Sequence, residues 1–309
     1  MSEIEISVVM PVFNEEASLE KTVDSVLIQE GVNLELIIVD DGSTDSSATI
    51  LERIAGSDQR VHVIAQKNQG ITRALINGCE LAKGRLIARQ DAGDWSLPGR
   101  LKAQLDSLNA QTDSALSSCA VRYFSEDSEQ LFEKTLSPEE ALKGLRPASL
   151  KDIQGPPHHG CVMFERQAYL ACGGYRDDFY VAQDLDLWTR LAEAGNHVSL
   201  AQVYYEATLR RNAISTSLRA LQESSREHIF NCIIERKTKG SDKAYLDRFG
   251  HELSRDVALT THENDAEYFY FIGSLLKQKQ DRRRYFKRAL ALRPLHPKTM
   301  LKLILSYFS

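Results

Sequence analysis

The chain of 309 residues has no apolar run long enough to cross a bilayer. Its longest runs, such as Val8 to Phe13 and Leu36 to Val39, are strand-sized, far short of the roughly 20 residues a spanning helix needs. Cysteine is scarce and unpatterned: Cys79, Cys119, Cys161, Cys172 and Cys232 are odd in number and never spaced C-x-x-C. That excludes a disulfide framework or a thiolate zinc site and leaves small, reduced, buried side chains. The N-terminus lacks the basic and then long apolar regions of a signal peptide and carries Glu3 and Glu5 instead, so the expected location is cytoplasmic. An excess of positive charge is also missing. With 43 acidic and 38 basic residues the formal charge is -5, which excludes a chain given over to nucleic acid.

What remains, at 42% hydrophobic and 26% charged residues, is the composition of a globular protein with a sizeable core. The N-terminal part alternates in period. Ile4 to Val12 reads as a strand, followed by Leu19, Val23, Val26 and Leu27 at helical spacing. The pattern repeats with strand Leu34 to Asp40, a helix from Ser46, strand Val61 to Ala65, helix Thr72 to Ala82, strand Arg85 to Gln90 and helix Pro98 to Leu108. Strands apolar on both faces and separated by helices predict a mostly parallel, Rossmann-like α/β sheet flanked by helices. Strands follow at Ala115 to Phe124, Cys161 to Phe164 and Val203 to Leu209, with a helix-start signal at Ser137 to Glu140 and an amphipathic helix at Asp184 to Ala194. Beyond about Thr216 the periodicity is helical throughout, which predicts a catalytic domain over 1–215 and an all-helical C-terminal region over 216–309.

In an open α/β sheet the ligand sits beyond the carboxyl ends of the strands, and three of those ends are acidic. They are Pro11-Val12-Phe13-Asn14-Glu15-Glu16, Asp40-Asp41-Gly42-Ser43-Thr44-Asp45 and Asp91-Ala92-Gly93-Asp94. Helix capping accounts for Ser43, Thr44 and Asp45. It does not account for Asp40 and Asp41 at the end of a buried strand, a position suited to ribose hydroxyls or base N–H groups. Neither G-x-G-x-x-G after the first strand nor G-x-x-x-x-G-K-[ST] occurs anywhere, which argues against a dehydrogenase or a P-loop NTPase.

These blocks, with Asn68-Gln69-Gly70, Pro98-Gly99-Arg100-Leu101, His159-Gly160-Cys161, Gly173-Gly174-Tyr175-Arg176 and Gln183-Asp184-Leu185-Asp186, resemble glycosyltransferase family 2, of the GT-A fold, over about residues 4–215. The resemblance implies an inverting enzyme that moves a sugar from a nucleoside-diphosphate sugar, UDP by expectation, to a hydroxyl of a glycan or lipid-linked acceptor in surface polysaccharide synthesis. It places the nucleotide on Pro11, Phe13, Glu15, Asp40, Asp41, Asn68 and Asp91, with Asp40 supporting its loop. It makes Asp184 the general base and Asp186 a residue that faces away or caps its helix. A divalent cation, Mg²⁺ or Mn²⁺, is implied on Asp91 and Asp94. There the chain departs from the family pattern, because Gly93 stands where the usual metal-binding Asp is expected. The alternative for the diphosphate is a cationic side chain, Arg210 or Arg211. His158 and His159 are candidates for the acceptor pocket or for structural hydrogen bonds.

Two rival readings stand beside this one: a catalytically silent nucleotide- or glycan-binding module, and a sugar nucleotidyltransferase, which would carry a basic Gly-rich first loop in place of the acidic one here. The tail adds a partner of its own. Between Lys277 and Lys302 stand ten Lys/Arg residues and one acid, Asp281, among Tyr285, Phe286, Leu290, Leu292 and Leu295. Such a stretch suits either a solvated helix face or peripheral contact with an anionic membrane surface.

Overall fold

A computed structural model describes residues 3–211, 219–250 and 265–308. The expected division at residue 215 and the C-terminal end of the helix expected over Lys243 to Ala258 lie outside them.

The N-terminal alternation folds as its periodicity predicts: β1 (Ile6–Val12), α1 (Leu19–Leu27), β2 (Leu34–Asp40), α2 (Ser47–Ser57), β3 (Val61–Ala65), α3 (Ile71–Glu80), β4 (Leu86–Arg89) and α4 (Arg100–Ala110). The four strands are parallel in the order β3-β2-β1-β4. Successive β1 side chains point to opposite faces. Ile6, Val8 and Met10 pack with Leu19 and Val23 of α1 and Leu101 and Leu105 of α4, whereas Val9 joins Ile37, Leu75 and Cys79 on the α3 side. Because β1 lies between β2 and β4, the chain reverses direction along the sheet there. The loops after β1, β2 and β4 therefore open onto one edge, the switch point where ligands bind in such sheets.

The second half of the sheet is mixed. Between β4 and the helix α4 lies the two-residue β5 (Trp95–Ser96); then come β6 (Ser114–Ser125), β7 (Gln130–Lys134), α5 (Pro138–Leu145), β8 (Val162–Glu165), α6 (Arg166–Ala171), α7 (Gln183–Ala194) and β9 (Asn196–Leu209). Strand β8 runs antiparallel to both β4 and β6, and β6 and β9 pair in parallel along almost their whole length. Strand β5 closes this end by pairing with Tyr205 and Glu206 of β9. Helix α5 starts with a full capping box between Ser137 and Glu140, which satisfies its first free N–H groups reciprocally.

The C-terminal helices α8 (Arg219–Lys239), α9 (Lys243–Phe249), α10 (Asp265–Leu275), α11 (Lys279–Leu292) and α12 (Pro297–Phe308) pack onto this body. Ile229, Cys232 and Ile233 of α8 join Ile153 and Phe179. Tyr268, Phe269 and Ile272 of α10 and Tyr285 of α11 cover Leu131 and Phe132 of β7. Several basic residues of 277–302 are spent on this packing: Arg284 pairs with Glu129, Arg288 with Asp127 and Arg293 with Glu267. Arg283 bonds the Ser306 carbonyl. Lys277, Lys279, Lys287, Lys298 and Lys302 stay exposed. All five cysteines are free thiols, four of them buried.

Candidate active site

The loops after β1 and β2 are stitched together by short polar side chains. Ser43 Oγ accepts from the Asn14 N–H at 3.0 Å, Ser47 Oγ from the Glu15 N–H at 2.8 Å, and the Asn14 side chain accepts from the Thr44 N–H at 2.7 Å. Asp40 accepts from the Ser43 N–H at 3.0 Å, so it supports its own loop. Asp41 ties that loop to the next one: it accepts from Gln66 Nε2 at 2.7 Å and from the N–H groups of Gln69 and Gly70, both at 2.8 Å. Phe13 leaves half its surface exposed, Asn68 is exposed, and Pro11 lies in β1 opposite Val39.

The loop after β4 rests on two buried arginines, Arg89 and Arg100. Arg89 reaches Asp91 Oδ1 at 2.5 Å and the His159 ring at 3.3 Å. Arg100 donates to the carbonyls of Arg89 and Gly160, at 2.8 and 2.7 Å, and to Gln90, Ser96 and Gln104. Buried guanidinium groups are tolerated only when their donors are satisfied. Here the satisfied donors fix the loop's backbone. Tyr205 completes the frame: its hydroxyl accepts from the Asp91 N–H at 3.1 Å and donates to Asp94 Oδ2 at 3.1 Å. A Cβ at Gly160 would lie 2.0 Å from that hydroxyl, so only glycine fits there. The spacing gave no signal for these contacts, since Arg100 and Gly160 are 60 positions apart.

Within this frame Asp91, Asp94 and His158 bring potential ligand atoms within 4.8 Å of one another. Burial pushes both carboxyls up, but the charge of Arg89 above all holds Asp91 below the ordinary carboxylate value. Asp94 lies well above it, through burial and then repulsion from Asp91. His158 Nδ1 accepts from the Gly160 N–H at 3.0 Å, which assigns the neutral ring's proton to Nε2, the nitrogen 3.7 Å from Asp94. His159 is held by Arg89 and by Tyr175 Oη at 2.8 Å; burial and then Arg89 bring its pKa down to about 3. It is a neutral, hydrogen-bonded positioning residue.

Gly93 has a left-handed φ of 86°, and a Cβ there would lie 1.6 Å from Arg210 Nη2. The guanidinium of Arg210 thus takes the space a side chain at residue 93 would use. It makes a two-pronged pair with Glu15, Nη2 to Oε1 at 2.6 Å. This engages the first-loop carboxylate with Arg210, and the pair lines a second cavity of about 750 Å³ on the α1 side together with Lys21, Trp95 and Thr208. Arg211 is directed elsewhere: its N–H reaches Glu126 at 2.7 Å and its side chain pairs with Asp265 at 3.3 Å, at the junction with α10.

Asp184 stands in the first turn of α7, after Ala182 in a left-handed conformation. Its only hydrogen bond among the described residues is from the Leu185 N–H at 2.8 Å. Burial, and more weakly Asp91, raise its pKa. Asp184, Asp91, His158 and His159 line one cavity of about 790 Å³. Asp186, two residues on, points away into a buried pair of arginines, Arg176 Nε at 3.0 Å and Arg190 Nε at 3.2 Å. A raised, weakly bonded carboxyl in a cavity beside an acidic cluster has the chemistry of a general base next to a site for a charged leaving group.

The model for "Glycosyl transferase family 2" matches residues 7–172. The amylovoran biosynthesis glycosyltransferase AmsE of Erwinia amylovora is 30% identical over 203 residues, covering 62% of this chain and 71% of that protein. Other relatives are much longer, and the chain spans only 22% of the length of two of them. Among solved structures, S. aureus TarS 1-349 in complex with UDP superposes with a TM-score of 0.53 at 18% identity, covering 98% of this chain and 89% of that one. The mannosyltransferase PcManGT from Pyrobaculum calidifontis, in complex with GDP-Man and Mn²⁺, gives 0.56 at 17% identity, covering 99% and 85%. These two likenesses establish the GT-A fold. The family match makes the chain a member of glycosyltransferase family 2 and its activity that of a glycosyltransferase.

Proposed function

We propose that the protein transfers a sugar from a UDP-sugar to a hydroxyl of a glycan or lipid-linked acceptor in polysaccharide biosynthesis, with inversion at the anomeric carbon. The observation that carries this reading is the placement of Asp184. Its carboxyl is half-buried, free of any cationic side chain among its hydrogen-bond partners, and shares a cavity with Asp91. A single displacement needs one base on the acceptor side and a stabilised leaving group on the other. Asp184 takes the acceptor proton as the hydroxyl attacks. With Asp184 acting as a base and not as a nucleophile, the single displacement gives a product of inverted configuration.

The nucleotide base lies against Phe13 and Pro11, with Asp41 accepting from its N–H through lone pairs left after its loop contacts, and Asn68 and Asp91 at the sugar-phosphate. The carboxylates fit a divalent cation: Asp91 and Asp94 offer hard oxygen donors, and the mutual repulsion that raises Asp94 is what a cation relieves. Mg²⁺ or Mn²⁺ held there would offset the charge of the departing diphosphate. Arg210, over Gly93, is a second cation of the chain at this loop beside Arg89, and Glu15 sets its direction.

UDP in the TarS complex and the AmsE name support the donor and pathway assignments. The membrane side of the proposal rests on α12, where Met300, Leu301 and Ile304 are exposed beside Lys298 and Lys302; an amphipathic, lysine-rimmed face suits an anionic bilayer surface. Incubation with a panel of UDP- and GDP-sugars tests the function. Release of UDP from at least one UDP-sugar, with an inverted product in the presence of acceptor, is expected. No nucleoside diphosphate released from any donor would favour the silent-module reading.

A further inference from the structure

The cavity that holds Asp184 is lined by three cationic side chains from three separate elements: Lys134 at the end of β7, Lys151 in the turn after α5 and Arg226 on α8. Lys134 and Lys151 have no hydrogen bond or ion pair among the described residues, and Arg226 spends one guanidinium nitrogen on the Ile153 carbonyl. Lysines are usually solvated or paired with an acid. Lys134 is neither: it is half-buried, and burial lowers its pKa. Three cations with spare donors around one cavity form a receptor for an anion with several acceptor oxygens.

The position of these cations separates them from the donor. No residue of the loops after β1 and β2 lines this cavity; of the acidic loops only Asp91 reaches it. Lys134 and Lys151 come from the stretch between β6 and β8, and Arg226 and Gln222 from α8. An anion held there belongs to the molecule whose hydroxyl Asp184 deprotonates.

Resting on the reading of Asp184 as the base, we propose that Lys134, Lys151 and Arg226 bind a phosphate group carried by the acceptor, so that the acceptor is a phosphate-bearing glycan or lipid. A phosphate dianion carries several acceptor oxygens for these donors, and its capture orients the neighbouring hydroxyl toward Asp184. The C-terminal helices then take part in substrate selection, because Arg226 completes the subsite.

Calorimetry on the full chain saturated with UDP, titrated with inorganic phosphate and separately with glucuronate, tests this. Phosphate is expected to bind in the presence of UDP and more tightly than glucuronate. Lys134→Ala/Lys151→Ala should weaken phosphate at least about tenfold, the loss of charge-assisted hydrogen bonds, while UDP affinity changes less than about threefold. Lys134→Arg, which keeps the charge, should retain phosphate binding, and unchanged melting temperatures identify folded variants. The proposal is overturned if UDP abolishes phosphate binding, if the double variant binds phosphate as wild type does, if glucuronate binds more tightly, or if UDP affinity falls in parallel. A wild-type protein that binds no UDP overturns the proposed function first, and the acceptor assignment with it.

Discussion

The two ends of the first turns of α7 show how one residue type is put to opposite uses. Toward the cavity, Asp184 has a single backbone hydrogen bond and a pKa raised by burial. Toward the C-terminal helices, Asp186 is fully buried where Asp184 is half-buried, yet Arg190 and Arg176 more than offset burial and hold it below the ordinary value. Arg176 continues to Asp242, and Arg236 joins Asp242 to Glu193, so this ionic network fastens α7 to α8 and α9. Burial alone therefore does not mark a functional carboxylate. The number of cationic partners decides between a base that can exchange a proton and a fixed charge that cannot.

The largest effect that tests this contrast is on stability. Asp186→Asn leaves Arg176 and Arg190 without their shared counter-charge, and losing one partner of a buried pair costs about 3–5 kcal/mol. A melting temperature lower by roughly 10 °C is expected for a domain of this size, with the same donor preference in whatever protein stays folded. An Asp186→Asn protein as stable as wild type would break the comparison.

Next in size is the pH dependence of turnover. Asp184 must be ionised to accept a proton, and its pKa is raised, so kcat/KM should fall as pH drops through a value above the usual carboxylate range. Asp186, with a lowered pKa, should contribute nothing there. A profile flat from about pH 4 to 8 would remove the raised carboxylate from the rate-limiting chemistry.

Chelation should have a smaller effect. EDTA is expected to weaken UDP binding about tenfold if a divalent cation on Asp91 and Asp94 carries most of the diphosphate charge. Indifference to EDTA, together with loss of UDP affinity in Arg210→Ala, would shift that role to the guanidinium over Gly93.

The smallest effect comes from a buried titratable group outside both regions. His197 bonds Ser118 Oγ at 2.8 Å, and burial lowers its pKa to about 4, against about 6.5 in an unfolded chain. Between those values the unfolded state binds the extra proton. Stability should therefore decline as pH falls from about 6.5 to 4, by roughly 1–3 kcal/mol. His197→Gln should show a shallower decline in chemical denaturation.

The contrast also explains what the sequence could reveal. Strand β2 spans the residues its composition predicts, Leu34–Asp40, because a strand buried on both faces leaves a continuous apolar run; the edge strand β3 also matches its expected span, Val61–Ala65, through the apolar residues Val61, Val63 and Ile64. The acidic loops were legible for the same reason, as polar residues directly after such runs. Strands β5 and β7 and the first part of β9 were not: Trp95-Ser96 is too short for any periodicity, and β9 begins with the mixed run Asn196 to Ala201 and is held by its pairing with β6. At the site, the departure at Gly93 was visible, but its occupant was not. Arg210 lies more than a hundred positions away and reaches Gly93 only through the fold. The frame built by Arg89, Arg100 and Tyr205 escaped notice for the same reason, as did the placement of Arg211 at the α10 junction, since a basic residue's partner depends on tertiary neighbours. Asp184 and Asp186 differ in the sequence only by two positions on a helix; their opposite environments come from Arg176, Arg190 and the cavity.

The most direct test of the account is turnover and UDP affinity measured together for Asp184→Asn, using a donor sugar that the wild-type enzyme accepts. The expected result is UDP affinity within about threefold of wild type with kcat reduced by roughly 10²–10⁴, the range removed with a general base. An Asp184→Asn enzyme that turns over at the wild-type rate would contradict it.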